Sequence, residues 1–242
     1  MGREFRVSRS AEVDASVAEV WDAIATGPGI DAWFMGRTEV ADGHVRTVFG
    51  DYTPDATVTA EDGTRFAYET PPAPDGRFVA YDFLVEARDG GGATLRLVTS
   101  GFLPGDDWTD EFEAMNSGGE LFFATLVEYL SHFAGRVATP LLATGPLADG
   151  TVWASIGTAL GRSRAARTGD AVTLHRPDGS TVDGTVYLAN DDTLGVRTTD
   201  AMYRFVRGLH GPLLAMHVLF AGVEDPAAWS EWMSSVAATA RP

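Results

Sequence analysis

WTDEFEAMNSGGELFFATLVEYLSHFA, residues 108–134, is the stretch on which the fold turns. Trp108, Phe112, Met115, Gly119, Phe122, Leu126, Tyr129 and Phe133 recur at alternating steps of four and three, which puts them on one side of a helix. At about 1.5 Å per residue such a helix is roughly 40 Å long. Its stripe is rich in aromatic rings, and an amphipathic helix is held mainly by what its apolar face packs against. A broad apolar surface must therefore lie elsewhere in the chain.

The preceding hundred residues supply it. Asp42-Gly43, Asp62-Gly63, Asp75-Gly76 and Asp89-Gly90 are dipeptides that favour tight hairpins, and they predict strands near 37–41, 44–49, 53–60, 64–70, 77–87 and 93–102. Within 78–87 the odd positions Val79, Tyr81, Phe83, Val85 and Ala87 are all apolar, while Asp82 and Glu86 lie on the other parity. Leu95 and Leu97 oppose Arg96, and by the same test Val45, Phe49, Phe66 and Tyr68 point inward. This is the pattern of an antiparallel sheet covered on one face. Further upstream, Phe5, Val7 and Val13 share a parity against Glu4, Arg6, Ser8 and Ser10, a half-buried strand over 4–13. Ser16 and Glu19 have the spacing of a capping box ahead of a helix over 17–25. Gly27-Pro28-Gly29 stops that helix, and Ile30–Phe34 predicts a short helical turn.

Downstream, GRVATPLLATGPLADG (135–150) loses all periodicity and holds two Pro and three Gly. It reads as a connection, with a linker over 137–150 between a domain at 1–136 and a smaller α+β unit at 151–242. That unit repeats the start: Val152–Thr158 matches Val20–Thr26 at four of seven positions. Strands follow near 170–176, 181–189, 193–198, 202–208 and 213–221, and a last helix begins at Asp225-Pro226. Trp229-x-Glu231-Trp232 echoes Trp108-x-x-Glu111-Phe112. The second half thus reads as a shortened copy of the first, lacking its opening strand.

Composition narrows the function classes. The chain has 242 residues and a net charge of −16, and every one of its 18 basic residues is Arg. Nucleic acid and anionic membrane are repelled on average and are not expected as partners. With no Cys, disulfides, thiol catalysis and cysteine-held metals are excluded. The N-terminus has no signal-peptide run and no segment reaches 18 apolar residues, so a cytoplasmic protein is expected. No cofactor is implied: elbow, phosphate-loop and dinucleotide motifs are all missing.

The order of these elements carries a resemblance. Val13-x-Ala15-Ser16-x-x-Glu19-Val20-Trp21-x-Ala23-Ile24, then Trp33-Phe34, then Gly118 followed by Phe123, Leu126 and Leu130, resembles the SRPBCC superfamily (START, Bet v 1-like) over roughly residues 5–134. Within it the likeness is to the heat-shock-protein ATPase activator-like proteins. The resemblance implies an α+β helix-grip fold, in which a curved antiparallel sheet surrounds a long C-terminal helix. It also implies that a small apolar or aromatic molecule is held between the two. One departure stands out: the family usually has Trp after the helix Gly, and here that position is Gly119.

The candidate ligand-binding set is Trp33, Phe49, Phe66, Tyr68, Tyr81, Phe83, Trp108, Phe112, Met115, Gly119 and Phe122; core filling is the competing role for each ring. Gly118-Gly119 sits mid-helix, where each Gly costs about 1 kcal/mol relative to Ala, and implies close approach, space for a ligand or a kink. Asp106, Asp107, Asp110, Glu111 and Glu113 are read as complementing the helix dipole rather than holding a metal. His44, His132, His175, His210 and His217 have no ligand spacing, and His217 reads as a core residue. The expected function is a carrier or sensor of a small hydrophobic molecule. An enzyme of the cyclase or dehydratase type, using Tyr68, Tyr81 or Glu69 on a bound carbonyl, is the alternative. A chaperone-linked interaction module is the third, and a second copy of the chain is a further candidate partner.

Overall fold

The Asp-Gly pairs turn the chain where their sequence predicts. Asp42 and Gly43 both take positive φ, 52° and 77°, a conformation Asp tolerates and Gly adopts freely. β2 (Arg37–Ala41) therefore folds straight back on β3 (His44–Val48), with Ala41 opposite His44. The meander continues through β4 (Asp55–Glu61), β5 (Arg65–Glu69), β6 (Phe78–Ala87) and β7 (Ala93–Leu103). β1 (Arg3–Val13) pairs antiparallel with β7 along its whole length, which gives a sheet ordered β1-β7-β6-β5-β4-β3-β2.

The computed structural model describes residues 2–106, 108–147, 150–159, 167–208 and 211–240. The chain divides into two units, Met1–Ala138 and Thr139–Pro242. Asp107 and His210 lie outside the described residues. No helix among the described residues is long and apolar enough to cross a membrane.

In the first unit α1 (Val17–Ala25) opens with the predicted capping box. Ser16 Oγ accepts from Glu19 N at 3.3 Å and Glu19 Oε2 accepts from Ser16 N at 2.8 Å. Each side chain satisfies a backbone donor the helix leaves unpaired. α2 (Gly27–Asp31) follows, with Thr26 capping Gly29 N at 3.1 Å. Trp33 is then locked by its indole N–H donating to Ala23 O at 2.9 Å. α3 (Trp108–His132) is unbroken through Gly118-Gly119, so the pair makes no chain break. Strand, two helices, a six-stranded meander and a long helix make this an α+β helix-grip fold.

Two rows of the sheet face α3. Register places Val7, Thr99, Tyr81 and Tyr68 side by side across β1, β7, β6 and β5. Arg9, Leu97, Phe83 and Phe66 form the next row. Along α3 the buried residues, Leu121, Phe123, Thr125, Leu126, Tyr129 and Leu130, belong to its C-terminal half. In the N-terminal half Trp108, Phe112, Met115 and Gly119 are only half-buried.

The second unit corrects two expectations. Residues 137–150 are not simply a linker: Thr139–Leu147 form β8, paired with β13 (Pro212–Leu219). The copy therefore keeps its opening strand. β8 leads to α4 (Gly150–Ala159), β9 (Ala171–His175), β10 (Thr181–Ala189), β11 (Thr193–Arg197), β12 (Ala201–Arg207), β13 and α5 (Pro226–Ala240). The sheet order β8-β13-β12-β11-β10-β9 reproduces that of the first unit with one meander strand fewer. Asp225 Oδ1 accepts from Ala227 N at 2.9 Å and starts α5.

Trp229 on α5 is fully buried among Tyr203, Phe205 and His217, with ring separations of 5.8, 5.7 and 4.4 Å. Its indole N–H donates to Glu224 Oε2 at 2.7 Å, and Tyr203 donates to Glu224 Oε1 at 2.6 Å. His217 is a core residue, as expected, but is only half satisfied. Its Nδ1 accepts from Arg204 N at 3.1 Å, while Nε2 is buried without a partner among the described residues. Burial, reinforced by the Arg204 guanidinium, pushes its pKa well below the ordinary histidine value.

A pH dependence follows. Folded His217 stays neutral where the unfolded chain takes up a proton, below about pH 6.5. Stability is therefore full above that value and is lost as pH falls, by up to about 1.4 kcal/mol per pH unit. Urea titrations at pH 7 and pH 5 are expected to show a larger acid loss for the wild type than for His217→Leu. Equal losses would contradict the assignment.

Candidate functional site

Beneath the N-terminal half of α3 the two sheet rows do not meet the helix. They leave a cavity of about 220 Å³, lined by Val7, Arg9, Trp33, Phe34, Met35, Tyr81, Leu97, Thr99, Ala114, Met115, Asn116, Gly118, Gly119 and Phe122. An apolar cavity of about 150 Å³ already takes benzene, so this one has room for a one- or two-ring molecule. Side chains facing empty space count as partly accessible, which accounts for the half-burial of Met115, Gly119 and Phe122.

Five of the sequence-predicted residues lie on this wall: Trp33, Tyr81, Met115, Gly119 and Phe122. The other six do not. Phe66, Tyr68 and Phe83 are buried beside it, with Tyr68 and Tyr81 at 5.1 Å and Phe66 and Tyr68 at 5.6 Å between ring centres. These rings are packed core that supports the floor. Phe49 bridges to Tyr52 in the turn after β3. Trp108 carries the Arg3 guanidinium over its face at 5.0 Å, and Phe112 packs on Phe5 at 5.8 Å. Both close the helix–sheet seam next to the cavity rather than line it.

The sequence reading passed over Arg9, Asn116, Thr99 and Phe34. Phe34 holds the roof, 4.8 Å from Phe122 and 5.9 Å from Tyr81. Arg9 is on the inward parity of β1, between Val7 and Ala11. Its Nη2 donates to Asn116 O at 2.9 Å and to Asn116 Oδ1 at 2.7 Å. Gly119 makes this possible. A Cβ there would stand 3.2 Å from Arg9 Nη1 and 3.4 Å from Cζ, so the helix surface is notched where the guanidinium lies. A side chain at this position, such as the Trp expected from the family resemblance, would require the guanidinium to shift. Gly118, by contrast, meets nothing nearer than Phe122 at 3.8 Å and leaves its space to the cavity.

The chemistry on offer is narrow. Burial pushes the Tyr81 and Tyr68 hydroxyls well above the ordinary phenol value, with each helped by a neighbouring tyrosine. Both are therefore neutral phenols at physiological pH. Desolvation lowers the Arg9 pKa, opposed by the charge of Glu120, and the group remains a cation. Glu69 is corrected: it is exposed, because β-strand alternation turns it away from the face that carries Tyr68. No carboxylate or imidazole belongs to the cavity lining among the described residues. Of the acidic cluster, Glu111 pairs with Arg77. His44 bonds Asp55 at 2.8 Å and His132 approaches Glu128 at 3.5 Å, both away from the cavity lining.

The topology is that of the helix-grip fold. No family model matches the chain, and no curated protein matches it. Among solved structures it is similar to the di-domain ARO/CYC BexL of the BE-7585A biosynthetic pathway, at 13% identity and a TM-score of 0.45, covering 97% of this chain and 94% of that one. It is similar to the Aha1 dimer from Colwellia psychrerythraea at 17% identity and a TM-score of 0.44, covering 52% of this chain and 96% of that one. DynU16, from the dynemicin biosynthetic locus, matches at 18% identity and a TM-score of 0.42, over 98% and 99% of the two chains.

Proposed function

We propose that the first unit binds a small apolar or aromatic molecule in the space between α3 and the sheet. One observation supports this above the rest: a largely apolar cavity of about 220 Å³ beneath a helix that gives up side chains at Gly118 and Gly119. Close packing is the rule in protein interiors, and voids larger than a water molecule are few. A second reading, polarisation of a bound carbonyl, is favoured by the presence of Tyr81 among the lining residues. General-base chemistry has no group to perform it among the lining residues. A docking module would need a filled interior and a contiguous apolar patch. Of the exposed large apolar residues, Val48 and Tyr52 flank one turn, while Val137, Leu147 and Val223 come from separate stretches of chain.

The test is a calorimetric titration of the full chain with indole, a neutral planar probe. Saturable binding of one indole per chain is expected. Failure to bind indole, or any comparable neutral one- or two-ring probe, would overturn the reading.

A further inference from the structure

We propose that the guest carries an acidic group and that Arg9 anchors it, so that the ligand class is a small aromatic or aliphatic monocarboxylate. This rests on the cavity being the binding site. Four observations carry it. First, Arg9 occupies a position where β1 otherwise turns Phe5, Val7, Ala11 and Val13 toward the helix, so a cation stands in an apolar row. The group is half-buried, so its charge is partly desolvated there.

Second, the match inside the protein is incomplete. Nη2 is held by the carbonyl and the amide oxygen of Asn116, both neutral. Among the described residues no carboxylate forms an ion pair with Arg9, and Glu120 influences it only by its charge. The remaining donors of the fork are open to a ligand, and guanidinium geometry suits a carboxylate.

Third, the helix is cut back to admit the group, since a side chain at 119 would press on Nη1. Fourth, Arg9 and Asn116 line two concavities at once: the cavity under α3, and a more open depression they share with Ser10, Glu120 and Phe123. Arg9 therefore stands at the mouth. A guest bound there would put its acid at the solvent end and its apolar body inward, over Leu97 and Met115. With a net charge of −16 the protein repels acids on average, so a specific cation is needed to hold one.

The experiment compares 2-naphthoate with 2-naphthalenemethanol, which share a ring system and differ in charge, by calorimetry on the full chain. The wild type is expected to prefer the acid at least tenfold. In Arg9→Met that ratio is expected to collapse toward one. Arg9→Lys, which keeps the charge but not the fork, should restore part of it. Circular dichroism establishes that each variant is folded, and the Lys variant carries the test if Met at this position unfolds the chain. Equal affinity of the wild type for the two probes would overturn the acid assignment while leaving the cavity reading intact. A preference for naphthoate that survives in folded Arg9→Met would place the anchor elsewhere. Binding of neither probe would overturn both.

Discussion

Gly118→Leu is expected to weaken indole binding more than tenfold while leaving the chain at least as heat-stable as the wild type. A Cβ at Gly118 would meet only the Phe122 ring, at an ordinary 3.8 Å, so the new side chain can be built without displacing backbone. Its branches enter the space a guest would occupy. At the same time, replacing glycine inside a helix removes a cost of about 1 kcal/mol. The two readouts move in opposite directions, which separates cavity filling from unfolding. A tenfold loss corresponds to about 1.4 kcal/mol. Undiminished binding in a folded variant would put indole somewhere other than under α3.

The second large effect belongs to the other unit. Trp229→Ala is expected to cost about 3–5 kcal/mol of stability, the range for emptying a buried large aromatic site. Trp229 is fully buried and touches Tyr203, Phe205, His217 and Trp232. Truncation leaves a hole between α5 and the sheet and removes one of the donors that hold Glu224. Trp229→Phe keeps most of the ring volume and loses the indole N–H, and should cost distinctly less. Urea denaturation measures the sum. Hydrogen exchange locates it, with protection lost in β12, β13 and α5. A cost near zero for the Ala variant would contradict the packing described for this core.

Local signals were enough for most elements. β2, β10 and α1 begin and end where alternation, turn dipeptides and the Ser16–Glu19 box put them. β8 was illegible for a physical reason. Pro140, Gly145 and Pro146 erase its pattern, yet β8 is the edge of its sheet, where a residue without an N–H is tolerated. The same concealment made the second unit look as if it had lost its first strand.

In the site, the division of rings into wall and core could not be read along the chain. Tyr81 and Phe83 share a parity and a strand face, and only the register across β1, β7 and β6, with the gap left by Gly118 opposite, separates them. Arg9 and Asn116 were legible. Arg9 is a charge on the apolar parity of its strand, and Asn116 follows Phe112 by one helical turn, inside the apolar stripe. Polar residues where the pattern calls for apolar ones mark places where packing has yielded to another demand.

Nuclear Overhauser contacts from bound indole test most directly whether a guest lies between α3 and the sheet. Contacts from indole protons to the methyl groups of Met115, Leu97 and Val7 are predicted, each of which faces the cavity. Contacts confined to exposed methyls such as those of Val48, Val137 and Val223, or no intermolecular contacts at saturating indole, would contradict it.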